Sequence, residues 1–157
     1  MSLPALYNTQ IDSYYKYNKH YGGCFSQNDF PKLARSGKFY ILNLDHPEGQ
    51  GTHYVMVYLL KRNYGIYFDS FGLDPPSDID ETMKKLKKEN YRNIGQTQDI
   101  KSSACGWYCI YIIDHLLQGE SYIDILNKFD SHLYSSISPN KNEKILIEYF
   151  KNKKEYL

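Results

Sequence analysis

One cysteine in this sequence stands where a thiol would be reactive. Cys105 follows Ser102, Ser103 and Ala104 and opens the run CGWYCIYIIDHLLQ. That run predicts a helix from about Cys105 to Gln118, capped by Ser102 or Ser103 and ended by Gly119. The first turn of a helix carries unpaired N–H groups and the positive end of the macrodipole, which favour negative charge. A thiolate is the nucleophilic form of cysteine, so Cys105 is the candidate nucleophile. Cys109 is one turn inside the same helix and reads as a core residue, and Cys24 reads as structural. The spacing Cys105-x3-Cys109 is neither the C-x-x-C of redox enzymes nor half of a zinc ribbon, and no second cysteine pair completes a metal site.

A nucleophilic thiol needs a base. His20 lies in the N-terminal region, His46 in a loop and His132 after a predicted helix. His115 shares the Cys105 helix but stands ten residues on, about 15 Å along the axis. His53 begins an apolar strand directly after the glycine-bearing segment GQGTHY, where a rigid element can present a side chain to a cleft. An imidazole there can pair with the thiolate and later protonate a leaving amine. Asp69, in YFDSFG, ends the following strand. If the two strands form a hairpin, His53 stands eight residues before the Lys61–Asn63 turn and Asp69 six after it, which makes them near cross-strand neighbours. A carboxylate in that position fixes the histidine tautomer and stabilises its charged form. Oxyanion stabilisation calls for the backbone N–H of Cys105 and a side-chain donor. Gln98 and Gln96 both precede Cys105 in QTQDIKSSAC, and spacing does not separate them. The chain order His53, Asp69, glutamine, Cys105 differs from papain-type enzymes, in which the cysteine comes first.

These side chains need a scaffold. KFYILNL (38–44), HYVMVYLL (53–60) and GIYFDSF (65–71) read as strands of an antiparallel meander, with a loop over DHPEGQG (45–51). A weak helix is expected over Leu6–Tyr17 and a turn at Gly22–Gly23. Ser77 with Asp80 resembles a capping box ahead of an amphipathic helix over Asp78–Glu89, and Tyr91–Gln98 reads as a further strand. The Cys105 helix is apolar on nearly every side, so it belongs at the centre of the fold. Helices over about Ser121–Phe129 and Asn140–Lys153 complete an α+β architecture, an antiparallel-rich sheet packed against a central buried helix and flanked by others.

The 157 residues fit a single domain, 1–157. Hydrophobic residues at 41% and charged residues at 24% exclude a disordered tail, a collagen-like rod and a coiled coil. No apolar stretch approaches the ~20 residues that span a bilayer, and no basic segment followed by an apolar run marks the N-terminus, so neither a membrane partner nor secretion is expected. Three cysteines, an odd count, suit a reducing compartment. A net charge of +1 gives little attraction for polyanions. Two lysine clusters, Lys84, Lys85, Lys87 and Lys88 and then Lys141, Lys144, Lys151, Lys153 and Lys154, read first as solvated helix faces and second as a weak DNA-binding surface.

The runs GTHYVMV (51–57), YFDSFG (67–72) and QDIKSSACGWYC (98–109), with YGGCFSQNDFP upstream, resemble the adenovirus-type (adenain-like) maturation cysteine proteases. Relatives of these occur in virophages, Maverick/Polinton elements and large DNA viruses, and SUMO-deconjugating proteases belong to the same clan. The resemblance covers about Tyr21 to Gln118. It implies a cysteine endopeptidase with Cys105 as nucleophile, His53 as base, Asp69 orienting the base and Gln98 lining the oxyanion hole. It places Tyr54 and Gly106 at the substrate. It also implies viral precursor proteins as substrates, cut beside small residues such as glycine during capsid maturation, in the virion and in the host cytoplasm or nucleus. Tyr54 stands where the family often has tryptophan, and Asp69 where adenoviral members have glutamate. No cysteine lies between Cys24 and Cys105 to receive a disulfide-linked activating peptide. No cofactor is expected, and neither a peptide nor a DNA activator has support in the sequence. A ubiquitin-like-protein deconjugating protease and a catalytically silent, DNA-associated virion protein are the alternatives.

Overall fold

The structure, a computed structural model, describes residues 3–44, 53–130 and 139–153. The three apolar runs form the strands expected of them. β2 (Phe39–Asn43), β3 (Tyr54–Leu59) and β4 (Tyr64–Phe68) pair antiparallel, with Ile41 opposite Met56 and Met56 opposite Phe68. Two further strands lie parallel to the outer members of this meander. β1 (Tyr21–Ser26) runs beside β2 and β5 (Glu89–Arg92) beside β4, giving the order β1-β2-β3-β4-β5. The loop expected over 45–51 lies outside the described residues, as do His46 and His132.

β1 occupies the place where the sequence signals a turn. Gly22 is there because the Tyr40 ring lies against it: a Cβ would stand 2.1 Å from Tyr40 Cε1. Gly23 takes φ +132° where the pairing with β2 shifts register. The paired glycines therefore mark a close approach and an irregularity within a strand, not a reversal. The fifth strand is shifted from Tyr91–Gln98 to Glu89–Arg92 because Asn93 and its successors bond to β4's end instead of continuing the ladder.

Alternation along the strands divides the core between two faces. Phe39, Ile41, Tyr54, Met56, Ile66 and Phe68 pack against the long helix α4 (Cys105–Leu117). Tyr40, Leu42, Val55, Val57, Leu59 and Tyr67 pack against Phe30 of α2 (Phe30–Leu33) and Ile79 and Met83 of α3 (Ser77–Leu86). A sheet covered on both faces explains why its strands read as continuous apolar runs. Ten of the 13 residues of α4 are buried, as its all-round apolar pattern requires. Around it stand α1 (Asn8–Tyr15), α5 (Tyr122–Leu126) and α6 (Pro139–Phe150). The Asp114 carboxylate on α4 accepts from Tyr14 at 2.5 Å, Tyr15 at 2.7 Å and Tyr149 at 2.7 Å, which ties α1 and α6 to the central helix. The mixed α+β architecture matches the expectation.

Helix starts differ in detail. Ser77 is the first residue of α3, with Pro76 at the cap and no side-chain capping bond, so the expected box does not form. Ala104 caps α4, and Ser102 Oγ accepts instead from the Ala104 N–H at 3.1 Å. Gly119, at φ +92°, follows the C-terminal end of α4.

The lysine clusters are largely engaged within the chain. Lys84 pairs with Asp80 at 2.7 Å, and Lys87 is buried, donating to Ser36 Oγ at 2.6 Å and Arg62 O at 2.9 Å. Lys141 pairs with Asp130 and Lys151 with Glu148, while the Lys153 ammonium sits 3.9 Å from the Tyr149 ring centre. Lys87 thus belongs to no solvated face, and Lys154 lies outside the described residues. Among the described residues no helix is long and apolar enough to cross a membrane.

Candidate active site

Three of the four side chains singled out by chemistry meet at one place. Continuing the β3–β4 register sets Asp69 beside Val55, two residues from His53, so the two side chains are diagonal neighbours at the open end of the hairpin. Asp69 Oδ1 lies 2.8 Å from His53 Nε2. A carboxylate only accepts, so Nε2 carries its proton toward Asp69 and leaves Nδ1 for the other side. Cys105, at the start of α4, also hydrogen-bonds the His53 ring. The sulfur also accepts from the Tyr54 backbone N–H at 3.4 Å. α4 packs across β3, which is why a helix start and a strand start arrive at the same point.

The electrostatics of the ring follow from these contacts. Burial disfavours the charged imidazole, but the hydrogen bonds to Asp69 and Cys105 and the electrostatic influence of both groups outweigh it. The His53 pKa is pushed up from 6.5 to about 9, so the ring is an imidazolium at neutral pH. The other two thiols are held protonated. Burial, with some help from Asp12, raises Cys24 to about 12, and burial raises Cys109 well above its ordinary value. Neither Cys24 nor Cys109 is therefore suited to thiolate chemistry.

Asp69 is itself held in place. Its Oδ1 accepts from Phe71 N at 2.9 Å, and Asn93 brackets its backbone, accepting from Asp69 N at 3.0 Å and donating to Asp69 O at 2.6 Å. The Phe71 ring stacks on His53 with centroids 4.6 Å apart and planes 21° apart. Neither Phe71 nor Asn93 stands out in the sequence as a site residue. Phe71 carries a signal, as an aromatic two positions past the orienting acid at a strand end. Asn93 carries none, because its role depends on the turn that follows β5.

Gln98 is buried at 1% exposure, in the loop leading to Cys105. Its carboxamide accepts from Ser70 Oγ at 2.5 Å and donates through Nε2 to Ser102 O at 2.8 Å. Gln96 is half-buried and its Nε2 donates to the Gln98 carbonyl at 2.9 Å, so it supports the backbone of its neighbour. Tyr54 and Gly106 both lie beneath the surface. The Tyr54 side chain is 3% exposed, with its hydroxyl donating to Asn8 Oδ1 at 2.6 Å, so its contribution to the sulfur comes from its main chain. Gly106 is buried against Leu6 and Tyr54; an added Cβ would stand 3.2 Å from Leu6 Cδ1 and 3.3 Å from Tyr54 Cδ2. Residues before α1 thus pack over the start of α4, a contact reinforced by Trp107 Nε1 donating to Pro4 O at 2.7 Å. Of the other histidines, His115 is a core residue, with Nδ1 on Tyr111 O at 2.7 Å and its ring 4.0 Å from that of Tyr111. Among the described residues no group of three or more His, Cys, Asp or Glu is arranged to hold a metal ion.

A helix-borne thiol, an imidazole at the end of the central strand of a mixed sheet and a buried carboxylate beside it form an arrangement suited to nucleophilic acyl transfer. No family model matches the chain, and no curated protein matches it by sequence. Solved structures match it in fold. The selenomethionine form of ASFV pS273R protease aligns with a TM-score of 0.59 at 19% identity, and a second structure of ASFV pS273R protease with 0.61 at 17%. Each alignment covers 91% of this chain and 66% of the solved one, so the chain spans just under two thirds of those proteins' length. At these identities the likeness is one of fold.

Proposed function

We propose that this chain is a viral cysteine endopeptidase in which Cys105, His53 and Asp69 form the catalytic triad and Gln98 contributes to the oxyanion hole. The observation that carries the reading is the meeting of the Cys105 thiol, the His53 ring and the Asp69 carboxylate at the junction of α4 with the β3–β4 hairpin. The fold shared with a viral protease supports it independently.

In this reading the Cys105 sulfur forms a bond to the scissile carbonyl carbon, and the electron pair moves onto the oxygen. The backbone N–H of Cys105 and the Gln98 carboxamide hold that oxyanion. As the oxyanion collapses, the C–N bond breaks and the His53 imidazolium gives its proton to the departing amine, leaving a thioester on Cys105. Water then adds to the thioester with His53 as base, and the carboxylic acid and thiol are released. Asp69 keeps Nε2 protonated and compensates the charged ring. No cofactor enters any step.

The substrate class follows from the resemblance to adenovirus-type maturation proteases: viral precursor proteins cut beside small residues such as glycine, during capsid maturation in an infected cell. The test has two parts. A glycine-terminated peptide aldehyde should label the wild type and not Cys105→Ala; equal labelling removes the enzymatic reading and favours a silent virion component. Capsid precursor should then be cleaved in preference to a panel of ubiquitin-like fusions, and the opposite preference would make the chain a deconjugating protease.

A further inference from the structure

The loop from Thr97 to Ala104 brings both oxyanion donors of the proposed reaction, the Gln98 carboxamide and the Cys105 N–H, yet it forms neither helix nor extended strand. Hydrogen bonds fix it from two directions, one main-chain and one side-chain. From the turn after β4, the Ser70 main-chain carbonyl accepts from Thr97 N at 2.9 Å and Gln98 N at 3.1 Å. From α6, the buried Asn142 donates through Nδ2 to Thr97 O at 2.9 Å and Asp130 O at 2.7 Å. Beside Asn142, the buried Glu143 accepts a short hydrogen bond from Ser102 Oγ.

The directions of the Ser102 bonds are fixed by chemistry. The Ala104 N–H, 3.1 Å from Ser102 Oγ, can only donate, so it takes a lone pair of the hydroxyl. A carboxylate can only accept, so it takes the hydroxyl proton. One rotor setting satisfies both partners, and it sets the peptide just before the Cys105 N–H. The Ser102 carbonyl meanwhile holds Gln98 Nε2 at 2.8 Å. One serine thus touches the supports of both donors, and Glu143 is what fixes that serine. A carboxylate is also an expensive group to bury for packing alone.

We propose that Glu143 is a positioning residue for the oxyanion hole, acting through the Ser102 hydroxyl on the Cys105 N–H and on Gln98. This rests on the protease reading of the same site. It gives α6 a part in the reaction, although that helix supplies no group to the reacting atoms.

Two thiol probes separate this role from a merely structural one. Chloroacetamide is attacked at a saturated carbon and develops no carbonyl oxyanion. Acetyl-glycyl-glycinal forms a hemithioacetal whose oxygen requires the hole. In Glu143→Ala the inhibition constant for the aldehyde should rise roughly 10- to 100-fold, while the chloroacetamide rate and its pH profile stay within about two-fold of wild type. Ser102→Ala should reproduce the effect, the double variant should add nothing further, and Glu143→Gln, which keeps an acceptor oxygen, should recover most of the affinity. Unchanged aldehyde binding in Ser102→Ala, or an equal fall with both probes, overturns the proposal; if Glu143→Ala does not fold, Ser102→Ala decides alone. The protease reading fails in a different way, when wild type reacts with neither probe faster than Cys105→Ala.

Discussion

Replacing Asp69 by asparagine removes one charge from the site and little else. Asp69 Oδ1 accepts from both the Phe71 N–H and His53 Nε2, at 2.9 and 2.8 Å. The Phe71 N–H needs an acceptor, so the asparagine keeps its oxygen there and the ring keeps its geometric partner. What is lost is the negative charge. In the wild type, burial opposes the charged ring, and the contacts to Asp69 and Cys105 overcome it to bring the pKa from 6.5 to about 9. That rise corresponds to about 3 kcal/mol in favour of the imidazolium. With Asp69 neutral, burial is opposed by Cys105 alone, and the ring should titrate at least about one pH unit lower. If the full 3 kcal/mol is felt in the step that protonates the amine, cleavage slows by about two to three decades. The direct assay follows the His53 ring nitrogens by NMR across pH 5–10, assigned by comparison with His53→Gln, alongside the rate of cleavage. A ring in Asp69→Asn that titrates within about half a unit of wild type would refute the electrostatic reasoning, whatever happens to the rate.

The same ring links stability to pH. Its folded pKa lies above the unfolded value, so its contribution, at most about 3 kcal/mol, is complete below about pH 6.5 and is lost as pH rises through about 9. Wild type should therefore lose more melting temperature than His53→Gln between pH 6.5 and 9.5, and parallel curves would contradict this. Gly72 sits at φ +73°, and a Cβ added there would stand only 2.9 Å from Gly95 C and Ile94 O. Gly72→Ala should cost about 2 kcal/mol or more in denaturant unfolding, through left-handed backbone strain and main-chain collision, and a loss below about 0.5 kcal/mol would show that the turn relaxes freely.

The candidate catalytic trio is legible because each member sits at the boundary of an element with a strong pattern. Cys105 opens the most apolar helix, His53 precedes β3, and Asp69 follows β4, so knowing that the hairpin forms is enough to bring two of them together. β1 is not legible. Its paired glycines carry the strongest local turn signal, and what overrides that signal is the Tyr40 ring, a contact with a residue 18 positions later. The register and the parallel edges arise in the same non-local way, since an edge strand such as β5, exposed at every residue, has no apolar alternation to read. Asn93, Ser70, Asn142 and Glu143 escape for a related reason. Each is an ordinary polar residue in sequence, and each becomes informative only when the fold buries it against a specific partner distant in the chain.

That contrast reflects how the site is divided between stiff and soft parts. Cys105, His53 and Asp69 are attached to a buried helix and to the end of a sheet packed on both faces, so their relative positions are set by core packing and need few local bonds. Gln98 and the Cys105 N–H belong to a segment with no ladder of its own. An oxyanion hole tolerates misplacement poorly, because its donors must already be aimed where charge develops. A loop meets that demand only if its polar groups are saturated by well-held partners, and here Ser70 supplies them from the turn after β4 and Asn142 and Glu143 from α6. In the proposed reaction, nucleophile and base can thus survive changes in α6 that would blunt the oxyanion hole, which is why a probe of thiol reactivity and a probe of oxyanion binding should part company in variants of that helix.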